Sequence, residues 1–289
     1  MKSTCLILFL SGLLSHAIAS PKPFYGLNYG INRNDCPNLE TVRSDFRALS
    51  KYTNTIRIYS LKDCNMGQTA LQAAQENNLR LYLGMWVDKT DSFDLEYVAL
   101  NRLVSSSQNL NSVEAIIVGS EVLYRNDSSS EELSKQIKKV KTLVKPKGIK
   151  VTTSEVYYKF TPAVVDTIDF LMMNAFIYWE GEQIEGAANK LYEHFISAKE
   201  LSKGKTVRIS ETGWPEKGDT FKNSIPSPEN QKTFLLTTLC KAKQYNMDII
   251  WFSAIDEPYK SGVESHFGLL NLNRQLKSFL NFNQLMNPC

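Results

Sequence analysis

Eight short runs of β-branched and aromatic residues lie along this chain with helical patterning between them, and no other feature limits the fold so sharply. The spacing predicts strands at 24–30, 55–60, 79–87, 115–122, 150–156, 169–178, 207–212 and 248–255. Helices are predicted at 39–49, 68–76, 93–108, 162–166, 186–201, 228–245 and 276–285. One more starts from a cap at Ser129 or Ser130, with Glu131 and Glu132 in its first turn and Lys138, Lys139 and Lys141 toward its end, charges that suit a helix dipole. Eight strands, each followed by a helix, are the count of a (β/α)8 TIM barrel, and the length agrees. A doubly wound open sheet would normally carry a glycine-rich phosphate loop after its first strand, and no GxGxxG or GxxxxGK(S/T) is present. No linker or low-complexity stretch interrupts 21–289, so one domain is expected there.

Residues 1–20 read as an export signal: Lys2, the apolar run 6–14, then Ala17-Ile18-Ala19, with cleavage near Ala19 or Ser20. That run is too short to cross a membrane, so the expectation is a secreted protein. Beyond it remain Cys36, Cys64, Cys240 and Cys289. In an oxidising compartment they argue for two disulfides; three connectivities exist, of which Cys36–Cys64 with Cys240–Cys289 is preferred. Asn126-Asp127-Ser128 is the one N-glycosylation sequon. The formal charge of +3 is too weak to imply nucleic acid.

Chemistry enters at residues 206–215, TVRISETGWP. Val207 and Ile209 alternate with Arg208 and Ser210 as a strand requires, and Gly213 and Pro215 stop it, leaving Glu211 at a strand end. The flat ring of Trp214 beside it would suit the CH-rich face of a sugar. In a barrel, reactive groups gather at the C-terminal strand ends, and the carboxylates there are Glu121, Glu155, Glu211, Asp256 and Glu257, with Glu180 just past the sixth strand. Two carboxylates facing across a cleft are the equipment of glycoside cleavage.

Other chemistries are poorly served. His194 and His266 are too far apart for HExxH, and His194 reads as a solvated residue on a surface helix. The cysteines are claimed by disulfides, no GxSxG elbow occurs, and no ligand cluster for zinc or calcium stands out, so neither cofactor nor metal is expected. Tyr29, Tyr59, Trp86, Tyr124, Tyr178, Trp179, Trp214 and Tyr259 all fall at or just after strand ends, as a sugar-lined cleft would have them. Arg57 alternates with Ile56 and Ile58, so it points into the barrel, where Glu211 is its expected partner; the pairing would keep that carboxylate ionised.

The segments VGSEVLYR (118–125), MNAFIYWEG (173–181), ISETGWP (209–215) and SAIDEPYK (253–260), with NYG (28–30) and TIRIYSLKDCN (55–65), resemble glycoside hydrolase family 17, above all its short fungal cell-wall β-1,3-glucanases and glucanosyltransferases. The resemblance runs through nearly all of the chain after the signal and in the right order. It implies a barrel with its acid/base, here Glu121, after strand four and its nucleophile, here Glu211, after strand seven. Glu257, Lys260 and Glu264 match a charged set near that family's cleft, and Asn174 and Ser120 join the substrate-binding candidates. Ser120 stands where many relatives carry Asn, and Phe176 where plant members carry Tyr, so a hydroxyl near the nucleophile is either missing or supplied by Tyr178.

The reaction so implied is a double displacement with retention. Tyr124, Trp179 and Glu180 are placed to hold an acceptor sugar against competition from water, which favours a β-1,3-glucanosyltransferase with residual endo-hydrolysis. An endo-β-1,3-glucanase is the alternative, followed by a non-catalytic glucan-binding wall protein, which would have no use for an acid and a nucleophile at paired strand ends. The partner expected is a β-1,3-glucan oligo- or polysaccharide, with no nucleic acid or membrane, and the chain is expected to act as a monomer.

Overall fold

The computed structural model describes residues 21–107 and 109–289. The export signal expected at 1–20, with its cleavage site, lies outside the described residues. Among the described residues eight parallel strands form one sheet and alternate along the chain with eight α-helices. The strands are β1 Gly26–Asn28, β2 Thr55–Ile58, β3 Arg80–Met85, β4 Val113–Ser120, β5 Lys150–Val156, β6 Leu171–Asn174, β7 Val207–Glu211 and β8 Ile250–Trp251. The helices are α1 Leu39–Leu49, α2 Met66–Glu76, α3 Ser92–Ser106, α4 Ser130–Val144, α5 Pro162–Thr167, α6 Ile184–Leu201, α7 Pro228–Tyr245 and α8 Phe282–Met286. Neighbours follow chain order, β1 also pairs with β8, and a parallel bridge between Ile209 and Ile249 joins β7 to β8. The fold is therefore a (β/α)8 barrel, with the main core between strands and helices.

Local chemistry explains where the helices begin. Asn38 accepts from the Thr41 amide at 2.9 Å, Ser129 from Glu132 at 3.1 Å and Ser227 from Asn230 at 3.0 Å, each satisfying an amide that an open helix end would leave bare. Proline follows the cap in α5 and α7, where its missing N–H costs nothing. Two disulfides pin the surface, Cys36–Cys64 between the loops after β1 and β2, and Cys240–Cys289 between α7 and the chain's last residue.

The helix expected at 276–285 is only α8. Leu276 instead bridges Leu270, and Lys277 is buried with its Nζ 2.9 Å from Asp256 and 3.2 Å from Glu216. That cation and its two acidic partners hold the segment in an extended turn against the propensity of its leucines. The sixth strand also stops early: after Asn174 the chain enters a 3-10 turn, Ile177–Glu180, closed by Gly181 in the left-handed conformation. Among the described residues no helix is long and apolar enough to cross a membrane.

Candidate active site

At the C-terminal end of the barrel a cleft of about 1070 Å³ is lined from the ends of all but the seventh strand's following loop, and both Glu121 and Glu211 open onto it. Backbone geometry aims the first of these. Gly119 and Glu121 both have positive φ, 76° and 58°, and the register of β4 against β5 shifts between Ile117 and Ser120. The Glu121 amide still bonds the Ser154 carbonyl at 2.8 Å, so the chain turns without losing its pairing. A non-glycine residue with φ above zero is costly, and such strain gathers at functional sites.

Glu211, at the end of β7, is buried and receives three donors on one oxygen. Arg57 Nη1 donates to its Oε1 at 2.6 Å, Asn174 Nδ2 at 3.0 Å and Ser120 Oγ at 3.2 Å. Arg57 is itself 1% exposed and also donates to Asn28 Oδ1 at 3.1 Å, the Ser210 carbonyl at 3.2 Å and Ser120 Oγ at 3.1 Å. Asn28, not singled out from the sequence as a site residue, is in turn held by its amide to the carbonyls of Ser210, Ile250 and Trp251. The Arg57 guanidinium lies 4.6 Å from the Tyr59 ring centroid. The Tyr59 hydroxyl is buried without a hydrogen-bond partner among the described residues, and burial, then the charge of Glu211, raise its pKa well above that of a free phenol.

Asn174 links the two carboxylates. Its Nδ2 donates to Glu121 Oε1 at 2.9 Å as well as to Glu211, while its Oδ1 accepts from Ser154 and Ser210 at 2.8 and 2.6 Å, which fixes the amide's orientation. One nitrogen bonded to both acids caps the separation of those two Oε1 atoms at about 6 Å and so keeps the carboxylates close together. Burial first, and the neighbouring charge of Glu211 second, push the Glu121 carboxyl up to about 7. It therefore holds its proton near neutrality, as a general acid must.

The walls carry the remaining candidates. Tyr124 and Trp179, 47% and 40% exposed, stand at one end with Glu180, whose carboxylate meets His194 Nε2 at 2.8 Å. Trp86 stacks beneath Arg125, its ring centroid 4.6 Å from the guanidinium carbon. Toward the other end lie Tyr259, Glu264 and the Glu257–Lys260 ion pair at 2.5 Å. Gly30 makes room there, since a Cβ on it would overlap the Glu257 carboxylate.

Several expectations are corrected. Trp214 is fully buried and lies off the cleft: Gly213 presses against the Phe252 carbonyl, too close for a side chain, and the turn sends the indole under α7. There it packs on Phe234 and Tyr178, and its Nε1 donates to the Ile225 carbonyl at 3.0 Å. Tyr178 is also fully buried, and its hydroxyl donates to the Asp219 carbonyl, so it cannot supply the hydroxyl absent from Phe176. Phe176 lines the cleft edge-on to Phe252 and Phe267. Tyr29 does line the cleft, with its hydroxyl bonded to Asp45 Oδ2 at 2.5 Å. Glu155 is wholly buried and spends its oxygens on the Leu123 and Val156 amides. His194 is buried and not solvated, and that was missed because one histidine on a helix carries no signal of its partner.

A (β/α)8 barrel with two bridged carboxylates in an open, aromatic-walled cleft defines an enzyme of the glycosidase and transglycosylase class. The comparisons name the group within it. A family model described as the BtgE/BtgC glycoside hydrolase domain matches residues 26–268, and the chain belongs to that family. A Saccharomyces cerevisiae protein named glucan 1,3-beta-glucosidase is 30% identical over 277 residues, covering 86% of this chain and 88% of its own. A Schizosaccharomyces pombe protein of the same name is 32% identical over 264 residues, covering 85% and 82%. Among solved structures, the Rhizomucor miehei glycoside hydrolase family 17 beta-1,3-glucanosyltransferase is 48% identical with a TM-score of 0.88, over 90% of this chain and 97% of that one. An active-site mutant of that protein has been solved in complex with laminaritriose. The likeness to family 17 carried by the sequence motifs therefore holds.

Proposed function

We propose that this chain is a retaining β-1,3-glucanosyltransferase with residual endo-hydrolysis, in which Glu211 is the nucleophile and Glu121 the acid/base. The observation that carries the reading is the single Asn174 amide bonded to both carboxylates, which keeps them close and so supports the short spacing that a double displacement uses. Three donors converge on Glu211 Oε1, so Oε2 is the oxygen left to attack the anomeric carbon. As it does, Glu121 gives its proton to the departing glycosidic oxygen, and a covalent glycosyl-enzyme forms. Glu121, now ionised, takes a proton from the acceptor hydroxyl, which attacks the same carbon and frees Glu211. Arg57 lies with Nη1 2.6 Å from Glu211 Oε1, a buried positive charge beside the carboxylate that attacks and later leaves.

The choice of acceptor rests on Tyr124, Trp179 and Glu180: two exposed aromatic faces and a carboxylate suited to hold a sugar while water competes. The 48% identity to a beta-1,3-glucanosyltransferase supports the same choice, whereas the names of the yeast relatives favour the hydrolase reading. Two disulfides and the export signal read from the sequence support a secreted protein.

The test is to incubate the protein with a reduced β-1,3-gluco-oligosaccharide and follow product sizes by mass spectrometry, beside Glu121→Gln and Glu211→Gln. Products longer than the input, absent in both variants, are expected. Shorter products alone would make the enzyme a hydrolase, and turnover surviving in either variant would remove that residue from its role.

A further inference from the structure

The geometry points to His194 as a positioning residue of the acceptor half of the cleft: from α6 it orients the Glu180 carboxylate and the Tyr157 ring together, and so governs how well sugar on that side is held. The inference rests on the transglycosylase reading above for the meaning of that half.

His194 occupies a core position of α6, on the face shared by Ala187, Leu191 and Ala198. A site of that kind normally takes an apolar side chain, and a polar ring there is costly unless its nitrogen is bonded. Its Nε2 lies 2.8 Å from Glu180 Oε1 and 2.9 Å from Oε2. An ionised carboxylate can only accept, so Nε2 carries the hydrogen and shares it between both oxygens. The imidazole also lies flat on Tyr157, ring centroids 3.7 Å apart and planes 11° from parallel, and Tyr157 meets Tyr158 edge-on at 5.0 Å. Tyr157, Tyr158 and Glu180 all line the cleft, yet they come from different segments, the first two from the loop after β5 and the third from the turn after β6. His194 touches both segments, Glu180 through Nε2 and Tyr157 through the ring face.

The consequence is pre-organisation. Glu180 ends a short turn and is a third exposed, so on its own it would lose rotamer freedom when a sugar arrived. Held by one N–H, the Glu180 carboxylate is fixed where it lines the cleft, with lone pairs left over to accept from the hydroxyls of a sugar. Trp179, the preceding residue, stands beside it as an exposed ring. The ordering cost is thus met on folding and not on binding.

The experiment compares the full chain with His194→Ala, His194→Gln, Glu180→Ala and the His194→Ala/Glu180→Ala double variant on two donors. One is a β-1,3-gluco-oligosaccharide whose leaving group is sugar; the other is an aryl β-1,3-oligoglucoside whose leaving group has no sugar hydroxyls. His194→Ala is expected to raise the oligosaccharide KM about tenfold, the loss of one hydrogen bond to a charged group, and to shift products toward hydrolysis. On the aryl donor its kcat/KM should stay within about twofold. His194→Gln, whose amide can donate in the same place, should recover most of the difference, and the double variant should be no worse than Glu180→Ala. Equal losses on both donors, or an unchanged oligosaccharide KM beside a lowered melting temperature, would overturn the proposal and leave His194 a packing residue. If the unaltered chain makes no longer products, the transferase reading falls separately, because the contrast between the two donors still reports on His194 through leaving-group sugar.

Discussion

The barrel holds an inward arginine at each end, and the two are used in opposite ways. Arg57, on β2, is surrounded by acceptors: a carboxylate, a side-chain amide, a hydroxyl and a backbone carbonyl. Arg208, on β7, is surrounded by rings: its guanidinium carbon is 4.7 Å from the centroid of Phe170, 5.4 Å from Tyr25 and 5.9 Å from Tyr82, with Asp248 3.0 Å from its Nε. Those rings belong to the small apolar cluster that closes the lower mouth, where the Tyr25 and Tyr82 hydroxyls bond each other at 2.8 Å. At the upper mouth the arginine holds a carboxylate that lines the cleft, whereas at the lower one an equal charge is spread over aromatic faces and seals the barrel. A buried cation thus marks chemistry only where its partners include a carboxylate that lines the cleft, as Glu211 does and Asp248 does not.

The sharpest way to break this contrast is Arg57→Met. It leaves Glu211 buried without its cation, so the transfer rate should fall by about a thousandfold or more, measured by initial rates on an oligosaccharide with the melting curve recorded in parallel. Retained activity would mean that Asn174 and Ser120 suffice to hold Glu211.

The pH profile is the next largest effect. Because Glu121 is pushed up to about 7, activity should fall about tenfold per pH unit above that value as the acid loses its proton. The same shift has a stability sign: Glu121 binds its proton more tightly when folded than at its ordinary 4.5, so its contribution is full below pH 4.5 and is lost as pH rises through about 7. In Glu211→Gln the charge contribution disappears while burial remains, and Glu121, followed by carbon NMR of the labelled carboxyl, should titrate lower. An unmoved titration would separate the two carboxylates electrostatically.

The smallest effect belongs to the lower mouth. Arg208→Met should leave kcat within about twofold and lower stability by about 2 kcal/mol, a melting shift of about 4 °C for a chain of this size. A large loss of activity there would make the two ends coupled and the contrast false.

Strand ends were legible because a carboxylate closing a β-branched run is a one-dimensional pattern: Glu121 and Glu211 both open onto the cleft, as does Glu257. The pairing of Arg57 with Glu211 was legible too, since alternation along β2 turns the arginine inward and few strand-end anions could meet it. Aromatics were harder. Trp179 and Tyr178 are neighbours in the same turn, yet one is 40% exposed and the other fully buried, because a turn sends successive side chains to different sides. Trp214 shared its motif with Glu211 but went to the core, where a ring fills the space between α7 and the barrel.

The sequence by itself determined the count and direction of the strands, the caps that start the helices and the row of acids at the strand ends, because periodicity and capping act between residues a few positions apart. Only the tertiary structure decided that Asn174 would join the two acids, that His194 would reach Glu180 and Tyr157, and that Lys277 would displace a helix with an ion triad. Each of those contacts unites residues from different strands and loops, and the angle at which elements pack, which no local pattern carries, sets which side chains meet.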